Sequence, residues 1–376
     1  MATGIAGHFR LGILVLAAAL LASCQGYSGI AKHERPLDGK TKAKLQQMEL
    51  RQTDPILVRI FKEESELEIW KQRKDSKQYV RFKTYHICKW SGQLGPKIKE
   101  GDRQAPEGFY TVRPAQMNPH SQYHLSFNIG YPNAFDKSHG RTGSHLMVHG
   151  ACSSRGCYSM TDEIIQEIYT LGRLAFLGGQ RAFHVQAFPF RMTPENFARH
   201  RNNKHMDFWQ NLKVGYDHFE LTRTPPKVDV CGRKYVFNGR PMGGKFVATQ
   251  SCPEIQVNPS LQARVDKKHQ ADMVKFAALS KQYQAQDVKI AARAEQEAAA
   301  AAERKARAED RKNRPASPLF ARREAEDSDQ PANGSQSSAR LPLIAFGPQR
   351  NPKAAPPAKE ECGFFQRLRG KCDADN

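Results

Sequence analysis

The sequence predicts a mainly β domain over residues 55–190, with one helix late in it. A small α+β accessory subdomain (191–259), a solvated Ala-rich helix (260–312) and a disordered tail (313–376) are expected to follow. Three observations carry this reading. Runs of β-branched and aromatic residues, separated by polar turns, fill 55–190. One helix-period pattern interrupts them at 161–178, where Ile164, Ile168, Leu171 and Ala175 recur along one face. Beyond 260 the chain is rich in Ala, Lys, Glu and Gln, and from Pro315 in Pro, Ser, Ala and Asn.

Each element has its own local signal. Residues 56–61 (ILVRIF), 67–70 (LEIW) and 79–87 (YVRFKTYHI) read as a meander. Gly92, Gly95, Gly101, Pro106 and Gly108 punctuate a long loop before a strand at 109–112. Residues 124–131 alternate apolar and polar positions, and 144–149 and 183–190 complete the strand set. The 161–178 helix has Thr161 or Asp162 as its N-cap and Gly178-Gly179 as its stop. Residues 194–212 read as a single helix, 216–258 as short strands, and 24–54 as a linker running into a short helix. The 260–312 run lacks a sustained a/d heptad, so a solvated helix fits it better than a coiled coil.

The 376 residues carry 58 Lys or Arg against 38 Asp or Glu, a formal charge of +20. A polytopic membrane protein is excluded because only one segment, at the very start, lacks charge for long enough to matter, and the mean hydropathy of −0.67 points to disordered or solvated stretches. Residues 11–24 (LGILVLAAALLASC), preceded by Arg10, have the layout of a secretory signal peptide over 1–23. The ending Leu21-Ala22-Ser23-Cys24 resembles a bacterial lipobox, which would leave a lipid-modified Cys24 at the mature N-terminus. An ordinary signal peptide, with Cys24 incidental, is the alternative. Both imply export, so the basic charge points to wall carboxylates or lipid phosphates and not to nucleic acid. Export also permits disulfides: Cys231–Cys252 and Cys362–Cys372 are candidate pairs, and Cys88 reads as a buried strand residue.

The chemistry concentrates in residues 148–160, VHGACSSRGCYSM. Cys157 sits in a small-residue turn between a strand and a helix, where backbone amides and the helix N-terminus favour a thiolate. His149, at the end of the preceding strand, is placed as its base. The amides of Arg155, Gly156 and Cys157 are candidate oxyanion donors, each typically contributing about 3 kcal/mol in acyl transfer. A metal site on His149, Cys152 and Cys157, or a Cys152–Cys157 disulfide, is the competing reading of the same residues.

This segment resembles the active site of the L,D-transpeptidase catalytic domain family (YkuD-type), a strand ending His-Gly followed by Ser-x-Gly-Cys. His149-Gly150 and Ser154-Arg155-Gly156-Cys157 match that pattern. Residues 105–110 (APEGFY) are similar to the family's segment before the active site, and 56–70 to its first hairpin. The family's common form has a longer loop and a second histidine, where Arg155 stands here. The short spacing, with HLSFNIGYPNAFD before it and MTDEIIQEIY after it, resembles the YafK-like branch.

The resemblance implies a β-sandwich or barrel acting on peptidoglycan stem peptides, with no cofactor and no metal. Cys157 would attack the diaminopimelate carbonyl and His149 would move the proton. Ser154 would order the turn or the imidazole, and Arg155 would hold a substrate carboxylate. Gly150, Tyr131 and Arg141 are expected at the substrate wall, with His124 a weaker candidate. The expected activity is transpeptidation, on wall cross-links or with an outer-membrane protein or lipoprotein as acceptor or leaving group. Hydrolysis of such links by the same fold is the alternative, and a non-catalytic wall-binding lipoprotein the third reading. The expected location is the periplasm of a Gram-negative cell, with a lipid anchor in the outer membrane.

Overall fold

The computed structural model describes residues 29–314. The expected signal peptide, Cys24, and the tail with Cys362 and Cys372 lie outside the described residues. The chain divides into two units, with the boundary between Ala299 and Ala300. The strands in chain order are β1 (Ile56–Phe61), β2 (Glu66–Gln72), β3 (Tyr79–His86), β4 (Lys89–Trp90), β5 (Gly108–Val112), β6 (Met117–Asn118), β7 (Ser126–Asn128), β8 (Met147–His149), β9 (Tyr158–Ser159), β10 (Phe183–Phe188), β11 (Val228–Cys231), β12 (Lys234–Phe237), β13 (Arg240–Pro241) and β14 (Ile255–Gln256). The helices are α1 (Gly39–Gln47), α2 (Ala134–Ser138), α3 (Asp162–Leu177), α4 (Pro194–Arg199), α5 (Met206–Thr222) and α6 (Pro259–Asn313).

Two five-stranded sheets form the mainly β body. The first runs β3-β2-β1-β10-β5 and the second β4-β9-β8-β7-β6. Among the described residues only β1–β10 and β8–β9 pair in parallel. All six residues of β1 are buried, because its near-continuous apolar run is covered on both faces. On one face Ile56, Val58 and Ile60 join Phe127 and Val148 of the second sheet and Ile165, Ile168 and Leu171 of α3. On the other, Phe61, Phe188 and Phe109 meet Trp209, Leu212 and Tyr216 of α5.

The residues expected as an accessory subdomain, packed on the first domain, pack on that second face. Residues 191–222 cover the sheet, and the β11–β12 hairpin adds Tyr235 and Phe237 to the same aromatic cluster. The expected linker is corrected: Leu37, Leu45 and Leu50 are buried in the main core, so residues 37–50 fold onto the domain. The single helix expected at 194–212 is two. Asn203 breaks it, its side chain accepting from the His205 amide at 2.9 Å, and α5 then runs on to Thr222. The first turns of α6 dock through Val265 and Phe276, and Lys213 pairs with Asp217 and Asp272.

Strands β7 and β8 are shorter than their alternation suggests. His124 and Gly130 flank β7 with positive φ, and His145 precedes β8 in the same region, where an extended ladder cannot continue. Helix α3 starts and stops where expected, with Thr161 capping the Ile164 amide and Gly178 ending it.

One feature of the core has no sequence signal. Lys62, just past β1, and Glu107, just before β5, pair at 2.9 Å with both side chains fully buried. Lys62 also donates to the carbonyls of Gln93, Gly95 and Ala105. Glu107 accepts from the Gly95 amide and Trp209 Nε1. The loop of residues 91–107 is pinned by this network, every charge in it met by partners.

Candidate active site

The parallel pairing of β8 with β9 builds the site. Val148 lies opposite Tyr158 and His149 opposite Ser159. Strand alternation therefore puts Cys157, two residues before Ser159, on the same side as His149. The Met147 amide donates to Cys157 Sγ at 3.4 Å, and the thiol faces the His145 carbonyl at 3.9 Å. His149 is buried, and its Nδ1 lies 2.6 Å from its neighbour's carbonyl, Gly150 O. A carbonyl only accepts, so Nδ1 carries the proton and Nε2 presents the basic lone pair.

The connecting turn is strained and braced. Ala151 and Cys152 both adopt positive φ, 62° and 43°, a conformation costing about 1–3 kcal/mol at each non-glycine residue. Three contacts hold it: the Cys152 amide on Met160 O, the Ala151 amide on Asp162 Oδ1, and a disulfide from Cys152 to Cys88. That disulfide corrects two expectations. Cys88 is half-buried beyond the end of β3 and cross-linked, and with Cys152 occupied neither the metal reading nor a Cys152–Cys157 bridge keeps its ligand set. Cys157 is the one free cysteine among the described residues. Cys231 and Cys252 are joined as a second disulfide.

Ser154 orders the turn, not the imidazole: its hydroxyl donates to Cys157 O at 2.7 Å and lies 3.2 Å from the Ser91 hydroxyl. It also accepts the Gly156 amide at 3.3 Å. Gly156 needs its φ of 118°, open to glycine alone at low cost. Gly150 is required by packing: a Cβ there would lie 2.5 Å from Asp162 Oδ1 and 2.9 Å from Tyr123 O.

The electrostatics reverse the thiolate expectation. Burial pushes the Cys157 thiol up, and the Met147 amide and Lys97 pull it down only in part. The positive end of α3 does not help, because Asp162 stands in its first turn and complements the dipole there. Burial also pushes His149 down, with the Gly150 hydrogen bond opposing it. Both directions favour the neutral pair, thiol and imidazole, at rest.

The other expected wall residues sit elsewhere. Tyr131 is in the core, its hydroxyl reaching the carbonyls of Lys97 and Thr142. Arg141 is buried in an ion pair with Asp136 at 2.8 Å, so neither is free to meet a substrate. His124 Nε2 is 3.1 Å from Gln166 Oε1. Arg155 is exposed two positions before Cys157.

Tyr123 matches no motif in the sequence, yet its ring lies 4.8 Å from the His149 ring at a 40° tilt and the residue is 48% exposed. Its carbonyl also accepts the Gly150 amide at 3.0 Å. Lys97 is the second omission, a buried cation pairing with Asp102 and acting on the thiol. An aromatic residue within the polar run at 118–124 (NPHSQYH) was the only available hint of Tyr123.

Two packed sheets, with His-Gly ending one strand and Ser-x-Gly-Cys opening its parallel neighbour, define a domain of the L,D-transpeptidase class. No protein-family model matches the chain. It is 41% identical over 238 residues to "Putative L,D-transpeptidase YafK" of Escherichia coli (strain K12), covering 63% of this chain and 94% of that protein. The same figures hold for the protein of that name in Escherichia coli O157:H7. Among solved structures, the helical cell shape determining protein Pgp2 from Campylobacter jejuni is 16% identical, with a TM-score of 0.29, over 50% of this chain and 79% of that one. The chain belongs to the YafK-like L,D-transpeptidase family.

Proposed function

We propose that this protein is an exported, cysteine-dependent L,D-transpeptidase acting on peptidoglycan stem peptides. The observation that carries the proposal is the free Cys157, next to β9 where that strand pairs in parallel with β8 and its His149. In this reading His149 Nε2 takes the thiol proton as Cys157 Sγ attacks the diaminopimelate carbonyl. The amides of Arg155 and Cys157 receive the oxyanion, since the Gly156 amide is turned to Ser154. The tetrahedral intermediate collapses to a thioester. The leaving amine of terminal D-alanine, or of another linked group, departs with the proton from His149. An acceptor amine then gives its proton to His149 and releases the thiol.

Export places this chemistry in the periplasm, with Cys24 as the lipid anchor to the outer membrane. An outer-membrane protein or lipoprotein is then within reach as acceptor or leaving group. Hydrolysis is the second reading, and one observation favours it. Ala151, Ser153 and Arg155 are exposed around the nucleophile, so water reaches the acyl carbonyl. Muropeptide analysis separates the two, because transfer makes new diaminopimelate-linked products and hydrolysis only removes links.

The neutral resting pair has a consequence for pH. His149 protonates only below the ordinary histidine value of 6.5, so the acid limb of turnover is expected below pH 6.5. Because the Cys157 thiol lies above its usual 9.0, iodoacetamide labelling at pH 7 should be slower than that of a free thiol. It should still be climbing past pH 9. Rapid labelling that levels off near pH 7 would instead show a resting thiolate.

Tyr123→Ala removes the ring that covers His149. An aromatic contact of this kind is worth about 0.5–1.5 kcal/mol, or roughly 2- to 12-fold in kcat/KM. Tyr123→Phe keeps the ring and should retain wild-type turnover. Equal rates for both variants and wild type would remove Tyr123 from the site.

A further inference from the structure

The two ends of the Cys88–Cys152 disulfide sit in unlike surroundings. Cys88 is a fixed post. Its neighbour Ile87 is buried, with its amide on Ser65 O at 2.7 Å. On its other side, Lys89 of β4 pairs with Ser159 of β9 and accepts the Ser159 hydroxyl at 2.8 Å. Cys152 instead is exposed, between exposed Ala151 and Ser153.

Little besides the disulfide holds residues 151–153. The Ala151 amide bonds to Asp162, whose side chain is 49% exposed, so water competes for that contact. The Cys152 amide on Met160 O, at 3.1 Å, is the other brace. Positive φ at two successive non-glycine residues works against both, because each relaxes by leaving the left-handed region. The turn joins His149 to Cys157, and the flanking strands β8 and β9 are only three and two residues long. A relaxed turn therefore shifts the base against the nucleophile, and acyl transfer is sensitive to displacements of about 1 Å.

We infer that the Cys88–Cys152 bond is a redox-controlled positioning device: oxidised, it sets Cys157 against His149 for the proposed acyl transfer, and reduced, it releases the turn. This rests on the catalytic reading of Cys157 and adds that competence is gained only under oxidising conditions. Opening is an exchange with a dithiol. One thiolate of the reagent attacks Cys152 Sγ, the S–S bond breaks, and Cys88 leaves as a thiolate that takes up a proton. The second thiol of the reagent then displaces Cys152, so two cysteine thiols form while the dithiol becomes a disulfide. The reverse exchange, with a disulfide oxidant, closes the bond.

The full chain is compared before and after reduction by a phosphine, removed before assay. Muropeptide turnover, iodoacetamide labelling of Cys157 located by peptide mapping, and thermal melting are followed on the same samples. Reduction should lower kcat by about tenfold or more and speed labelling of Cys157, with a cooperative melting transition retained. Cys88→Ser with Cys152→Ser should start at the reduced level and no longer respond to the phosphine. Cys88→Ser with Cys152→Asn should recover turnover that Cys88→Ser with Cys152→Val does not, because Asn tolerates the left-handed region and a β-branched residue does not. Labelling reads the turn without any turnover. Faster labelling on reduction of a chain that releases no product even when oxidised would support the device while rejecting the catalytic reading. Unchanged labelling on reduction, equal turnover of the Asn and Val variants in an active enzyme, or reduction that melts the domain outright would overturn the inference.

Discussion

Cys157→Ala is expected to abolish turnover of peptidoglycan while leaving the thermal unfolding midpoint within a few degrees of wild type. Removing the nucleophile of an acyl-transfer enzyme costs on the order of 10⁶-fold in kcat. Cys157→Ser should fail nearly as completely, because a hydroxyl beside the same imidazole is far less acidic than a thiol. The fold should tolerate both changes. Cys157 is only part-buried and its contacts are a weak amide donor and a carbonyl at 3.9 Å, features whose loss typically moves stability by about 1 kcal/mol. Release of stem-peptide products and a melting curve, measured on the same preparations, check both halves. Full turnover in Cys157→Ala would place the nucleophile elsewhere.

Glu107→Ala should be the most destabilising single change in the domain. It leaves Lys62, fully buried, with carbonyl partners but no counter-charge. Breaking a buried pair in this way costs about 3–5 kcal/mol, which in a domain of this size lowers Tm by roughly 10 °C. Burial already presses the Lys62 ammonium toward its neutral form, with Glu107 opposing, and the substitution removes that opposition. The effect should reach the site. Loop 91–107 touches the catalytic turn through the Ser91 and Ser154 hydroxyls and through Arg103, whose carbonyl carbon stands 3.6 Å from where a Cβ on Gly156 would lie. Faster alkylation of Cys157 in this variant would report a loosened turn, and an unchanged Tm would show that the pair carries no such load.

What the sequence revealed and what it hid follow one division. Elements written in consecutive residues were legible: the apolar run of β1, the Thr161 cap and Gly178 stop of α3, and the His-Gly and Ser-x-Gly-Cys ends of adjacent strands. Features made by residues far apart were not. Cys88 and Cys152 are separated by 64 positions, and nothing local marks Lys62 and Glu107 as partners. Burial was the other blind spot. Tyr131 and Arg141 look available in sequence and are taken up by the core and by Asp136. The thiol's direction is hidden for the same reason, since a turn and a helix start are visible in the letters while the desolvation that outweighs them is not. The apolar positions of 206–219 show in sequence that they need cover, but not that the second face of β1 supplies it, because that strand lies far earlier in the chain.

Incubation of the purified protein with peptidoglycan, followed by mass spectrometry of released and retained muropeptides beside Cys157→Ala, tests the proposed chemistry most directly. New diaminopimelate-linked dimers or D-amino-acid exchange, present with wild type and absent with the variant, are the expected result. Loss of links with water added, and no transfer product, would replace transpeptidation by hydrolysis at the same cysteine. Muropeptide profiles that do not differ between wild type and Cys157→Ala would contradict catalysis by this site altogether.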